Sequence, residues 1–254
     1  MNKFVKVLII IGVVILILVL GVFCFLKLYK PFGDTYNKKD RAEYTKRAEN
    51  FKGGKFLNLG EFSLKTKWED TYIARSSKKG KEPIGKIPVV KYEEQEATKD
   101  DVKITWFGHS SVLIQMHNLN ILVDPIFEEV ASPVKFMGPK RYSEIPVTVK
   151  ELPEIDIVLL THDHYDHTAY ETLKKLNKKT TRFMVPLGLE KDLVKFGIAN
   201  SKISSMAWWE DEDINGLIVA CTPAKHFSGR YLLDNDEALW ASWVLKDENN
   251  TIFD

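Results

Sequence analysis

From Val7 to Leu26 the chain runs for 20 residues without a charge or a proline. At the helical rise of about 1.5 Å per residue this stretch reaches about 30 Å, the thickness of a bilayer's hydrocarbon core. No face of such a helix is polar, so a helix packed on a soluble core does not fit. The stretch ends Val22-Phe23-Cys24-Phe25-Leu26-Lys27, which is bulky and offers no small-residue cleavage site. The pattern therefore predicts an uncleaved single-pass transmembrane helix within residues 1–30. Lys3 and Lys6 lie on one side of it, and Lys27, Lys30, Lys38, Lys39 and Arg41 on the other. Both sides are basic, so the side of the membrane that holds the larger domain stays open.

Residues 31–101 read as a polar tether. The stretch 34–55 mixes charges and is broken by Gly53-Gly54, and 76–88 is a loop by composition. From residue 102 the texture changes. Short alternating runs predict strands at 102–106, 111–116 and 120–123, and the continuous apolar run 155–160 predicts a strand buried on both faces. A helix over 168–176, a strand over 182–185 and a helix over 190–196 stopped by Gly197 follow. Further strands are expected at 217–222, 240–245 and from 251. Hairpins followed by alternating strand and helix indicate an α/β layered domain over 102–254.

Composition sharpens this picture in two places. Of 254 residues 44% are hydrophobic, enough for a core, and the net charge of +1 argues against nucleic acid as a partner. Residues 102–254 carry 16 basic and 22 acidic side chains and all six histidines. The two cysteines, Cys24 in the apolar run and Cys221 in a predicted strand, are not expected to pair.

The histidines carry the chemistry. Thr161-His162-Asp163-His164-Tyr165-Asp166-His167 follows the buried strand and precedes a helix. Two residues apart in an extended turn, His162 and His164 project to one side. Asp166 and His167 can then face a second point nearby. Neutral imidazole and carboxylate are the donors that zinc and similar divalent ions take, and iron and manganese are also tolerated. His226, in a loop after the strand 217–222, is a third imidazole for the point that His162 and His164 define. Three protein donors leave a position open, as in a catalytic zinc site. His109 in Trp106-Phe107-Gly108-His109 is a candidate catalytic or substrate-orienting residue, with a structural hydrogen-bonding role as the alternative. Asp124 ends a strand and can orient a ligand imidazole. His117 reads as a hairpin-turn residue, and Trp208-Trp209 as core or cleft wall.

These residues resemble the metallo-β-lactamase-fold hydrolases. The pieces WFGHSS (106–111), NILVDPIF (120–127), ASPVKFMGPKRY (131–142), LLTHDHYDH (159–167), TPAKHFSGR (222–230) and LWASWVL (239–245) resemble the branch that contains N-acyl-phosphatidylethanolamine-hydrolysing phospholipase D. The resemblance implies an αββα sandwich and two zinc ions. It implies His162, His164 and His226 on one ion, and Asp166 and His167 on the other, with Asp166 also catalytic. It implies hydrolysis of a phospholipid phosphodiester at a membrane. It further calls for a bridging aspartate and a last histidine beyond the strand that starts at Thr251. On this reading residues 102–254 hold only the N-terminal half of the sandwich, one metal site is expected here, and turnover by this length of chain is expected to be weak. A lactonase of the same superfamily and a non-catalytic membrane-anchored remnant are the alternative functions.

Overall fold

The computed structural model describes residues 2–61, 80, 82–94, 101–230 and 234–253. Residues 76–79 and 81 of the expected loop lie outside these. Helix α1 (Lys3–Leu28) takes in the whole apolar stretch, with the Asn2 side chain accepting from Phe4 N at its start. None of its residues is buried against the rest of the chain. It is one helix long and apolar enough to cross a membrane by length and composition.

A short 3₁₀ turn (Lys30–Phe32) leads to α2 (Lys38–Arg47). Asn37 and Asp40 form a reciprocal capping box at its start, and Lys46 and Arg47 occupy its last turn, where the helix dipole favours cations. Strands β1 (Phe51–Lys52) and β2 (Lys55–Phe56) form a hairpin around Gly53 and Gly54. Both glycines have positive φ, as a tight hairpin turn demands. The polar segment read as a tether thus delivers single large side chains to the domain. Tyr36, Tyr44, Phe51 and Phe56 are buried in a core cluster, and the Tyr44 hydroxyl donates to Glu190 at 2.6 Å.

Among the described residues the domain proper has two sheets. The first runs in the order β3 (Lys103–Trp106), β4 (Val112–Met116), β5 (Leu119–Val123), β6 (Ile155–Leu159), β7 (Thr180–Pro186), β8 (Ile203–Met206). Strands β3 to β5 form an antiparallel meander, and β5 to β8 are parallel. The parallel pairs need crossovers. Helices α3 (Tyr170–Leu176) and α4 (Leu189–Phe196) lie in two of them. Gly197, in the left-handed conformation, closes α4 by donating to Leu193 and Val194 carbonyls. The second sheet is antiparallel, in the order β12 (Thr251–Phe253), β11 (Ser242–Lys246), β10 (Leu217–Thr222), β9 (Asp211–Ile214).

Side-chain alternation sorts the core into two layers. Ile114, Met116, Ile121, Val123, Ile157 and Leu159 pack with Leu217, Val219, Cys221, Trp243 and Leu245 between the sheets. Leu113, Leu122, Val158 and Phe183 face the other way, beneath Leu173 and Leu176 of α3 and Leu193 and Phe196 of α4. Strand β6 serves both layers, which is why its sequence is an apolar run rather than an alternation. Each fully buried Leu, Ile or Phe contributes about 1.5–3 kcal/mol by removal from water.

One glycine is required by this packing. Gly188, between β7 and α4, has φ +96°, and a Cβ there would lie 2.7 Å from Ala238 Cα. Gly188→Ala is expected to lower stability by more than the about 1–2 kcal/mol that left-handed backbone alone costs. A shift of the urea midpoint to lower concentration checks it, and an unchanged midpoint would contradict the tight crossing of residues 187–189 over 238–239.

Candidate metal centre

The candidate side chains gather where the parallel strands end. β6 runs out at Leu159 and the chain turns through 161–167 before α3. Asp124 stands at the end of neighbouring β5, His109 and Ser110 lie in the turn between β3 and β4, and His226 lies in the loop after β10. Strand carboxyl ends are the usual place for sites in such sheets, because the loops there converge.

His162 Nε2 lies 2.9 Å from His164 Nδ1, and His226 Nε2 lies 3.1 Å from His162 Nε2 and 3.3 Å from His164 Nδ1. The three nitrogens form a triangle with edges near 3 Å, the spacing expected of donors about 2.0–2.1 Å from one zinc ion. Burial, reinforced by the neighbouring imidazoles, pushes His164 down to about 4 and holds His162 well below the ordinary imidazole range. Burial also lowers His226. All three rings are therefore neutral at pH 7, the ligand form. A neutral ring has one donor and one acceptor nitrogen, so three such nitrogens facing one another cannot satisfy each other fully by hydrogen bonding. The donor set fits a divalent cation.

A second group adjoins the first. His109 Nε2 lies 3.0 Å from Asp166 Oδ2, and His167 Nε2 lies 3.8 Å from the same oxygen. His109, Asp166 and His167 together present one ligand atom each within 4.8 Å of one another. The sequence places Asp166 and His167 at a second point, and the structure brings them there with His109 beside them.

Asp124 ties the two groups together. It is 1% exposed, accepts from Thr161 N at 2.8 Å and from the Thr161 hydroxyl at 2.6 Å, and its Oδ2 lies 2.7 Å from His167 Nδ1. Thr161 Oγ1 in turn lies 2.9 Å from His162 Nδ1. Asp124 and His109 both have positive φ, a conformation uncommon outside glycine and often found at functional sites.

Sequence reasoning did not single out the residues that hold the turn. Asp163 is buried and accepts from Gly229 N at 2.9 Å. Arg230 donates to the Asp163 carbonyl at 2.5 Å, the Thr168 carbonyl at 2.8 Å and the Pro31 carbonyl at 2.9 Å. Its guanidinium lies 4.3 Å over the Tyr165 ring, and the Tyr165 hydroxyl donates back to the Arg230 carbonyl. The loop that carries His226 is thus clasped to the turn that carries His162 and His164. The signal available in the sequence was only that an arginine and an aspartate sit inside the two histidine-bearing motifs. His117 is a turn residue as expected, with Nε2 2.7 Å from the Asn215 carbonyl. Trp208 is buried and Trp209 is 70% exposed.

A cavity of about 570 Å³ opens beside the second group. His109 and Asp166 lie at its wall with Trp106, Ile87, Val89 and Tyr142.

Comparison with known proteins places this architecture. Residues 119–253 match the family model described as a beta-lactamase superfamily domain. An uncharacterized protein of Mycobacterium tuberculosis is 32% identical over 219 residues, which are 82% of this chain and 58% of that protein. N-acyl-phosphatidylethanolamine-hydrolyzing phospholipase D 1 of Caenorhabditis elegans is 32% identical over 158 residues, 59% of this chain and 44% of that protein. The mitochondrial N-acyl-phosphatidylethanolamine-hydrolyzing phospholipase D of Saccharomyces cerevisiae is 36% identical over 165 residues, 63% of this chain and 35% of that protein. The chain spans little more than half the length of the mycobacterial relative, and less of the other two. With its two-sheet core, helix layer and histidine-bearing strand ends, the chain belongs to the β-lactamase superfamily and has the metallo-β-lactamase fold.

Proposed function

We propose that this chain is a membrane-anchored, zinc-dependent phosphodiesterase of the phospholipase D type, acting on N-acyl-phosphatidylethanolamine-like phospholipids. One juxtaposition carries the reading: a triangle of neutral imidazole nitrogens beside a second His/Asp group that walls an apolar cavity. Such a cavity accepts an acyl chain while its polar edge meets a phosphodiester. The two phospholipase D relatives support the substrate class. The apolar helix α1 supports a substrate drawn from a membrane.

In this reading His162, His164 and His226 hold one ion, and Asp166 and His167 offer donors to a second. When bound, the metal supplies Lewis acidity, which lowers the pKa of water and stabilises negative charge on phosphoryl oxygens. The remaining work falls to the chain. Asp124 fixes the orientation of His167 through Nδ1, leaving Nε2 to face the site. His109 Nε2, hydrogen-bonded to Asp166 Oδ2, carries a proton toward the departing headgroup oxygen. Trp106 and Tyr142 hold the lipid's apolar part away from water.

Two tests follow from this reading. This length of chain in detergent micelles with N-acyl-phosphatidylethanolamine and zinc is expected to release phosphatidic acid and N-acylethanolamine weakly but above a chelated control, and chelation is expected to stop the release. Cleavage at an ester instead, or metal binding without turnover, would overturn the reading. Asp124→Asn removes an acceptor that faces His167 and Thr161 together. It is expected to weaken metal binding about 10–100-fold, the usual cost of losing a residue that orients a ligand. Chelator competition measures it, and an affinity equal to that of the unaltered protein would remove Asp124 from the account.

A further inference from the structure

Where the chain leaves α1, it is fastened to a particular loop. Tyr29, which caps the helix, donates its hydroxyl to the Pro133 carbonyl at 2.8 Å. The Tyr29 ring packs against Phe25 and Phe32, with centroids 5.0 and 5.3 Å away. Lys195 Nζ donates to the Lys27 carbonyl at 3.2 Å and also to the Gly33 carbonyl, and the buried Pro31 accepts from Arg230. The end of α1 and the loop 131–142 are therefore neighbours held by the same body.

The tip of that loop is apolar and bare. Phe136 is 88% exposed and Met137 62%. Phe136 is three residues from Pro133, so its backbone lies within about 11 Å of the residue that Tyr29 holds. Lys135 and Lys140 flank the tip, as Lys27 and Lys30 flank the end of the helix. Bulky apolar side chains edged by lysines suit the boundary between acyl chains and anionic headgroups. The loop has a second connection. Ala131, Pro139, Arg141 and Tyr142 form part of the cavity wall that His109 and Asp166 share.

We propose that the loop 131–142 is a second membrane-seated element, with Phe136 and Met137 inserted into the bilayer surface beside α1, so that the cavity opens onto lipid. The proposal rests on the reading of α1 as a membrane span. Its occupant is the lipid surface: α1 is apolar on every side, and the loop that carries the bare apolar tip is tied to the residue that caps the helix. A lipid then moves from the bilayer into the cavity without passing through water, and the headgroup arrives at the histidines.

The test uses the full chain reconstituted in vesicles of phosphatidylcholine and phosphatidylglycerol. An environment-sensitive fluorophore is attached at Met137→Cys in a Cys24→Ser background, where Cys221 is buried and does not react. The expected result is blue-shifted emission, quenched several-fold more by lipids bearing a nitroxide high on the acyl chain than by aqueous iodide. The same label at Asn249→Cys, in the exposed turn between β11 and β12, is expected to show the reverse. A label at 137 that behaves like the one at 249 would overturn the proposal. So would blue-shifted emission that ignores nitroxide lipids but accompanies energy transfer between chains, which would make a second copy the occupant. A label on the native Cys24 reads the anchor separately. Cys24 quenched by nitroxides high on the acyl chain with residue 137 in water defeats the loop alone, and a Cys24 quenched by aqueous iodide instead defeats both readings.

Discussion

Replacing His162 and His164 together with alanine abolishes stoichiometric binding of zinc by the full chain, and His117→Ala leaves it intact: this is the expected result of a metal titration on the three proteins. Zinc held by four protein ligands gains about 10–16 kcal/mol at pH 7, so two lost donors forfeit several kcal/mol and weaken binding by more than about 10³-fold. Neither His226 alone nor the two remaining donors Asp166 and His167 hold an ion stoichiometrically against water. His117 is the matched control, because its Nε2 is occupied by the Asn215 carbonyl in a hairpin turn. The metal-free double variant is expected to stay folded, since the alanines relieve a crowd of imidazoles whose nitrogens satisfy one another poorly. Equal metal content in all three proteins would place the ion elsewhere.

Arg230→Met is the substitution with the largest expected effect on folding. The side chain is 5% exposed, and its three carbonyl acceptors come from the metal-site turn, the start of the α3 segment and the chain leaving α1. Methionine fills the volume, but the carbonyls of Asp163, Thr168 and Pro31 lose their donor inside the protein. The carboxylate of Asp192, 3.9 Å from Nε and also buried, loses its nearby positive charge. Breaking a buried charged network in this way costs about 3–5 kcal/mol. Arg230→Lys restores the charge but not the planar fork, so it recovers only part of the loss. Urea unfolding of the metal-free proteins in detergent checks the magnitude. Zinc affinity checks the second consequence, because the clasp joins the loop of His226 to the turn of His162. A methionine variant with an unshifted midpoint and unshifted affinity would show that the clasp holds nothing.

The contrast between these two variants shows what could be read from the sequence. His162, His164, Asp166 and His167 were legible because their chemistry is local: a strand of pure apolar residues ends, and donors crowd one turn. His226 was legible as an imidazole in a loop just past a predicted strand, one that could reach that turn. Strands β3 to β7, β10 and β11 were legible from alternation, from the apolar run or from turn signals. Arg230 was not, since an arginine in a loop reads as solvent-facing until three carbonyls from distant segments are brought around it. Strand β9, with the sequence Asp211-Glu212-Asp213-Ile214, carries no apolar alternation and is held at the edge of its sheet by its ladder to β10. Helix α2 and the β1–β2 hairpin were hidden for a related reason. Their burial rests on Tyr44, Phe51 and Phe56, three aromatics scattered among charges, and only the tertiary fold shows that they share one cluster.

His162, His164 and His226 are expected to share one metal ion. Crystals of the full chain grown with zinc, measured on both sides of the zinc absorption edge, test this most directly. An anomalous peak is expected within about 2.0–2.1 Å of His162 Nε2, His164 Nδ1 and His226 Nε2. An empty triangle, with zinc bound at other residues or not at all, would contradict it.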